Sequence, residues 1–255
     1  MKRFVCLVII ILSGGFIFVD RAEAQNDAWA EGFFKANQAY KENRFQEAVD
    51  GYKQLAESGH KNGHLCYNLG NAYFRLNELG RAILYYERAR LLIPRDADLN
   101  FNLRHAGDRI QDAVPRPQAF LSMTFFWLNS LTLDELFWGF VILNILFWGI
   151  LFSRLFFRSE WTYYIFVVFM IVWFIAGISF GLKWYQVKTD NRAVILEPEV
   201  SVMAGPDIQD TLLFKLHAGT IVDCERSEDG WHLIHLSDKK RGWVVSKEIE
   251  KIIKD

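Results

Sequence analysis

The stretch GHLCYNLGNAYFRLNELGRAILYYERARLLIPRD, residues 63–96, decides the fold. Gly70, Ala82 and Ala89 are small where two antiparallel helices must approach closely, and Tyr73 and Tyr86 fill the gaps beside them. Pro94 stops the second helix, because a proline inside a helix removes a donor and clashes with the preceding turn. The same pattern stands one repeat upstream. Ala36 aligns with Gly70, Asn37 with Asn71, Ala48 with Ala82, Tyr52 with Tyr86 and Leu55 with Ala89. Two units therefore run over 29–62 and 63–96. A third starts at Ala97 with Leu103 in register, and Pro115 cuts it after one helix. That helix, 97–113, is expected to cap the end of the stack.

The 34-residue interval and the set Leu69-Gly70, Tyr73, Ala82, Tyr86, Ala89 and Pro94 resemble the tetratricopeptide repeat. The first unit is looser, with Gly32 and Lys35 where large residues usually stand. The resemblance implies an all-α solenoid over 25–114 whose first helices line a groove for extended peptides or helices. It assigns Asn37, Tyr40, Lys41, Asn68, Asn71, Phe74, Arg75 and Asn102 to that groove. An asparagine amide carries both a donor and an acceptor, which suits it to bracket a peptide backbone. Carboxylate-clamping relatives have lysines where this chain has Phe33 and Asp98, so capture of a C-terminal carboxylate does not carry over. The alternative is that the groove packs against another part of the same chain.

Around this array the sequence reads as a membrane protein. The 255 residues balance 29 Lys and Arg against 30 Asp and Glu. No basic stripe accompanies that balance, so nucleic acid is not an expected partner. Lys2 and Arg3, the apolar run Phe4–Val19 and the small-x-small Ala22-Glu23-Ala24 read as a secretory signal over 1–24, cleaved before Gln25. An uncleaved anchor is the alternative, and either one exports the chain from Gln25 onward. Val114-Pro115-Arg116-Pro117 ends the helical section. An aromatic linker, 115–133, is expected at the membrane interface. Thr132-Leu-Asp-Glu135 is a capping-box pattern. Two apolar segments, 134–158 and 162–183, approach the ~20 residues that cross ~30 Å of hydrocarbon. The turn between them carries Arg154 and Arg158, whereas Asp134 and Glu135 flank the other end, as the positive-inside rule asks. Lys183 and Lys188 run against that rule. The expected location is thus the bacterial cytoplasmic (inner) membrane, with both soluble parts on the periplasmic side.

Residues 190–252 alternate in Arg192–Leu196, Glu199–Met203 and Trp231–Leu236, with turns at Ala204-Gly205-Pro206-Asp207, Ala218-Gly219, Glu228-Asp229-Gly230 and Ser237-Asp238-Lys239. Short strands so punctuated predict a small all-β barrel. Gly205-Pro206, Leu216–Thr220, Gly230-Trp231 and Arg241-Gly242-Trp243-Val244 resemble a bacterial SH3-like domain. Trp231 and Trp243 belong either to its core or to its surface. Relatives of that domain bind cell-wall peptides or proteins, so the resemblance implies peptidoglycan as a second possible partner.

Catalytic chemistry is missing from the motifs. His60, His64, His105, His217, His232 and His235 have no carboxylate or thiol companions at metal-ligand spacing. His232 and His235 fall on opposite faces of a strand. Cys66 and Cys224 read as small buried hydrophobes, with Cys6 in the leader. No nucleophile elbow, phosphate loop or dinucleotide fingerprint occurs. The expectation is no enzyme, no metal and no cofactor. In the apolar segments Asn144 is the one strongly polar side chain. Gly177-Ile-Ser-Phe-Gly181 permits close helix approach, within the hairpin or between copies.

The order of signal, tetratricopeptide repeats, helical hairpin and SH3-like barrel resembles the BatE proteins of the Bacteroides aerotolerance (Bat) system. That resemblance implies work in aerotolerance or stress resistance beside membrane proteins with von Willebrand factor A domains and a MoxR-type ATPase. The sequence reading is a multidomain membrane protein that acts as an envelope scaffold, with a peptidoglycan-binding anchor as the alternative. The partner and any homo-oligomer stay open.

Overall fold

We describe a computed structural model of the chain, covering residues 27–59, 62–112, 124–156, 159–236 and 240–253. The expected leader, His60, the Pro115/Pro117 break, Arg158 and the Ser237–Lys239 turn lie outside the described residues.

The helical array holds α1 (27–41), α2 (Phe45–Glu57), α3 (Gly63–Arg75), α4 (Leu79–Leu92) and α5 (Ala97–Gly107). Its local signals recur with the repeat. Asn62 and Asp96 cap α3 and α5 by accepting from the backbone N–H of Leu65 and Leu99, which satisfies donors that a helix start leaves orphaned. Asn43 and Asn77 adopt φ of 60° and 63° after α1 and α3. The next N–H groups, of Arg44 and Glu78, reach back to the carbonyls of Ala39 and Tyr73 at 2.9 and 3.0 Å. This is the left-handed closure that asparagine tolerates at helix ends. Inside the array Ala48, Ala82, Ala89, Tyr52, Tyr86 and Leu69 are buried. A Cβ on Gly70 would lie 2.6 Å from the Tyr86 ring, so the small residue at this position is required by close packing. The third unit is shorter than the expected 97–113, since α5 ends at Gly107.

The apolar section starts with a 3-10 turn, Phe126–Asn129, and continues into α6 (Leu133–Phe156) and α7 (Glu160–Lys188). Both helices are long and apolar enough to cross a membrane, with mean hydropathies of 2.1 and 2.6. The Thr132/Glu135 capping box forms as read. Glu135 N–H donates to Thr132 Oγ1 at 3.1 Å, and Thr132 N–H donates to Glu135 Oε2 at 2.9 Å. The hairpin is held by aromatic contacts, with Trp173 between Phe140 (6.0 Å) and Phe147 (5.1 Å). Gly177 faces Phe140, and Gly181 has no neighbour within 4 Å of its would-be Cβ. The 3-10 turn docks on α7: Trp127 Nε1 donates to Ser179 Oγ (3.1 Å) and Lys183 Nζ to the Leu128 carbonyl (2.6 Å). The second helix outruns the expected 162–183. At about 1.5 Å per residue it is about 44 Å long, and it ends three residues before the first strand.

The C-terminal part is a seven-stranded sheet, with β1 (Arg192–Ile195), β2 (Glu199–Met203), β3 (Leu212–His217), β4 (Ile221–Glu228), β5 (Trp231–His235), β6 (Arg241–Val245) and β7 (Ile249–Lys251). The order is β3-β2-β6-β5-β4-β1-β7, and every pairing is antiparallel. Asp229 (φ 43°) and Gly230 (φ 82°) make the tight β4–β5 hairpin turn, as Asp-Gly pairs favour. Val200, Val202, Val222, Cys224, Ile234 and Val244 form the core. Among the described residues β3 and β7 are two separate edges, so the pairings do not close the sheet into the expected ring.

The array and the sheet are not separate bodies. Val194 and Ile252 lie in the same buried cluster as the repeat core, with Leu196, Ile221 and Ile110 packed against it. A Cβ on Gly80, in α4, would stand 2.4 Å from the Ile195 carbonyl oxygen and 2.6 Å from Leu196 Cα. Gly219 (φ 88°) lies against Ile83 and Ile110. The sheet therefore uses the side of α4 as part of its support.

Candidate functional site

The first helices α1, α3 and α5 present the residues assigned to the groove, and the structure joins them into one surface. Asn37 Oδ1 accepts from Tyr52 Oη at 2.6 Å and from Asn68 Nδ2 at 2.9 Å. One repeat later, Asn71 Oδ1 accepts from Tyr86 Oη at 2.7 Å and from Asn102 Nδ2 at 2.9 Å. Asn102 Nδ2 also donates to Tyr67 Oη at 3.0 Å. The three members of this triad recur together at the repeat interval. Burial, with the neighbouring Tyr40 adding to it, pushes the Tyr52 hydroxyl up to about 12 against a counteracting hydrogen bond from Asn68. Burial raises Tyr86 as well. Both hydroxyls stay protonated as donors at neutral pH. The asparagines, expected to bracket a peptide backbone, thus spend one carbonyl or one amide each in tying neighbouring helices together. Buried polar groups need partners, and here the repeats supply them to each other.

Tyr40, Lys41, Phe74 and Arg75 form the outer part of the same surface. Tyr40 packs edge-on against Phe45 (5.4 Å), and the Arg75 guanidinium lies 4.5 Å above that ring. Arg75 Nη2 donates to Asn43 Oδ1 at 3.4 Å, across the repeat boundary. Arg109 repeats the asparagine contact, with Asn77 Oδ1 at 3.1 Å, and lies over a different ring, that of Phe74, at 5.0 Å. His105 sits over Phe74 (5.6 Å) and stacks with Phe101 at 6.4 Å. Phe34 and Phe101 are 67% and 62% exposed. Tyr67, Phe101, His105 and Arg109 were missed by the sequence reading. The interval marks them, since Phe101 is one repeat beyond Tyr67 and Arg109 one repeat beyond Arg75. The sheet leaves these side chains exposed or half-buried because it packs on α4.

Trp231 and Trp243 are elsewhere. They lie on β5 and β6, Trp243 only 6% exposed with the Arg226 guanidinium 5.2 Å from its ring, and Trp231 half-buried. Among the described residues no group of three or more His, Cys, Asp or Glu is placed to hold a metal ion. Burial pushes Cys66 up, and Cys224 up to about 11, which keeps both as thiols at neutral pH.

The opposite side of the array carries polar clasps to the sheet. Arg88 Nε donates to the Ile252 carbonyl (2.9 Å), and Nη2 to the Lys251 carbonyl (2.7 Å) and to Glu250 (2.9 Å). Asp112 accepts from the His217 backbone N–H (2.6 Å) and from Thr220 Oγ1 (2.8 Å), with His217 Nδ1 at 3.0 Å. Burial pushes the Asp112 carboxyl up, but the hydrogen bonds from His217 and Thr220 outweigh it and hold the group below its ordinary value. Arg192 reaches Glu87 at 3.5 Å and Asp190 at 2.6 Å.

No curated protein matches the chain. The tetratricopeptide repeat family matches residues 63–96, the span that holds α3, its tyrosine-asparagine partners, α4 and the cap of α5. In that stretch the chain is similar to a module whose general work is binding other proteins, and no catalytic family accompanies it.

Proposed function

We propose that this protein is a membrane-anchored interaction protein whose repeat groove receives a polypeptide partner at the cell envelope. The observation that carries the reading is the surface along α1, α3, α5 and the turn after α5, with Phe34, Lys41, Arg75, Phe101 and Arg109 exposed. The two apolar helices support anchoring in the inner membrane as a hairpin. The core shared by array and sheet supports a common compartment for both, since a membrane between them would forbid it. The Thr132/Glu135 capping box, the docked Phe126–Asn129 turn and the direct run of α7 toward β1 fit a short, stiff connection between head and hairpin. The likeness to an SH3-like domain, and the work beside von Willebrand factor A and MoxR-type proteins that the BatE resemblance implies, belong to the same proposal. Peptidoglycan binding through the sheet has less support, because Trp243 is buried and Arg226 covers its ring.

The test is affinity capture of the full chain from solubilised membranes, read by mass spectrometry. The double substitution Phe34→Ala/Phe101→Ala should remove the co-purifying proteins. Retention of the same set by this variant rejects the groove as the binding surface.

A further inference from the structure

We infer that the groove takes an acidic, extended segment of its partner, with carboxylates spaced to match the repeats. This rests on the groove being the binding surface, as proposed above.

Lys41 ends α1 and Arg75 ends α3, and Arg109, one repeat further on, lies in the turn just past α5; all three are exposed. Four arginines elsewhere in the array are paired, Arg44 with Glu42 and Glu47, Arg81 with Glu78, Arg88 with Glu250 and Arg90 with Glu87, whereas Arg104 on α5 is exposed like the groove cations. Among the described residues none of the three groove cations has a carboxylate within ion-pair distance. Glu42 and Glu78, next to this row in the chain, are already engaged by Arg44 and Arg81. Asp98 lies in the first turn of α5, at the far end from Arg109. Asp112, three residues past Arg109, is held by His217 and Thr220; set against Asp108, beside Arg109, three cations leave the row positive.

Two of the three cations are also fixed in place. Each guanidinium rests over a ring, Phe45 for Arg75 and Phe74 for Arg109, and donates to one asparagine carbonyl. A guanidinium has five N–H donors in a planar fork. Stacking and a single bond orient that fork and leave most of it for a ligand. A fork held this way suits two-point recognition of a carboxylate, with little ordering left to do on binding.

The spacing sets the form of the ligand. Asn68 reaches Asn37, and Asn102 reaches Asn71, by direct hydrogen bonds, so the first helices are side-chain neighbours. Packed helices lie about 8–10 Å apart. A polyproline-II segment rises about 3.1 Å per residue with three residues per turn, so every third side chain shares one face about 9 Å from the last. An acidic residue at every third position then meets Lys41, Arg75 and Arg109 in turn. Phe34, Phe101 and His105 offer apolar surface to the residues between.

The test uses the full chain in detergent micelles and a fluorescein-labelled dodecapeptide with Glu at every third position and Pro or Ser between. Control peptides carry Gln or Lys in place of Glu. Fluorescence polarisation should show the Glu peptide binding on the order of tenfold tighter than the Gln peptide, with the gap closing as salt screens the charges. The double variant Arg75→Gln/Arg109→Gln should lose that preference while its thermal unfolding stays that of the parent. Equal affinity for Glu and Gln peptides overturns the inference, and so does an unchanged preference in the double variant. If Phe34→Ala/Phe101→Ala abolishes partner capture and the arginine variant does not, the groove stands and the acidic ligand falls. If neither variant alters capture, both fall.

Discussion

The two sides of the repeat array are made from the same repeat and do opposite work. On the α4 side, backbone meets backbone. Gly80 sits against Ile195 and Leu196, and Arg88 donates to two carbonyls and a carboxylate at the end of β7 and just past it. On the side of α1, α3 and α5, polar groups are satisfied along the array by its own repeats, and charged groups are left outward. The difference teaches how a short array can be both rigid and receptive. Stability comes from the side that is closed, and the open side keeps its helices in register through asparagine–tyrosine bonds that need no partner.

The comparison breaks most severely at Gly80. Any side chain there must push backbone aside, and overpacking of this kind costs about 3 kcal/mol or more. Gly80→Val should lower the unfolding midpoint of the head in detergent, and array and sheet should lose protection together. If only one of them loosens, the shared core is not a cooperative unit. Arg88→Ala comes next. It leaves the Lys251 and Ile252 carbonyls without this donor, a loss of about 2 kcal/mol. Hydrogen exchange at Glu250–Ile252 should rise while exchange in α3 stays slow.

The Asp112 clasp gives a smaller, pH-dependent effect. Its carboxyl is held below the ordinary value in the folded chain. Its contribution is therefore present above the usual carboxylate range, about pH 3.9, and is lost as pH falls through the depressed folded value. Asp112→Asn should cost about 1 kcal/mol at neutral pH and flatten the acid limb of the stability profile. An unchanged acid limb in that variant would assign the sensitivity to other carboxylates. On the open side, Arg75→Gln should have the least effect on stability, since the guanidinium is exposed.

Much of this was legible in the chain. The repeat interval located α1 to α5, because each cap, turn and small residue is set by local backbone requirements that recur with the sequence. Asn43 and Asn77 close helices for the same reason, and Thr132 and Glu135 start α6 through atoms three residues apart. The two apolar helices were visible from length and composition alone. Side chains one repeat apart share a face, so the interval alone could suggest which residues line up along the first helices. The asparagine–tyrosine pairings were not legible, because they depend on the distance between helices. Nor was the place of Arg109 and His105 beside Phe74, because the third unit stops after one helix.

By itself, then, the sequence determined the elements and their order: a period for the helices, alternation for the strands and unbroken apolar length for the hairpin. Each is a pattern along the chain. Tertiary structure alone decided that the array and the sheet are one body, which side of the array is covered and which cations remain unpaired. Those outcomes rest on Gly80 meeting Ile195, Arg88 meeting Ile252 and Asp112 meeting His217. The partners are more than a hundred residues apart, and no local periodicity encodes where such segments touch.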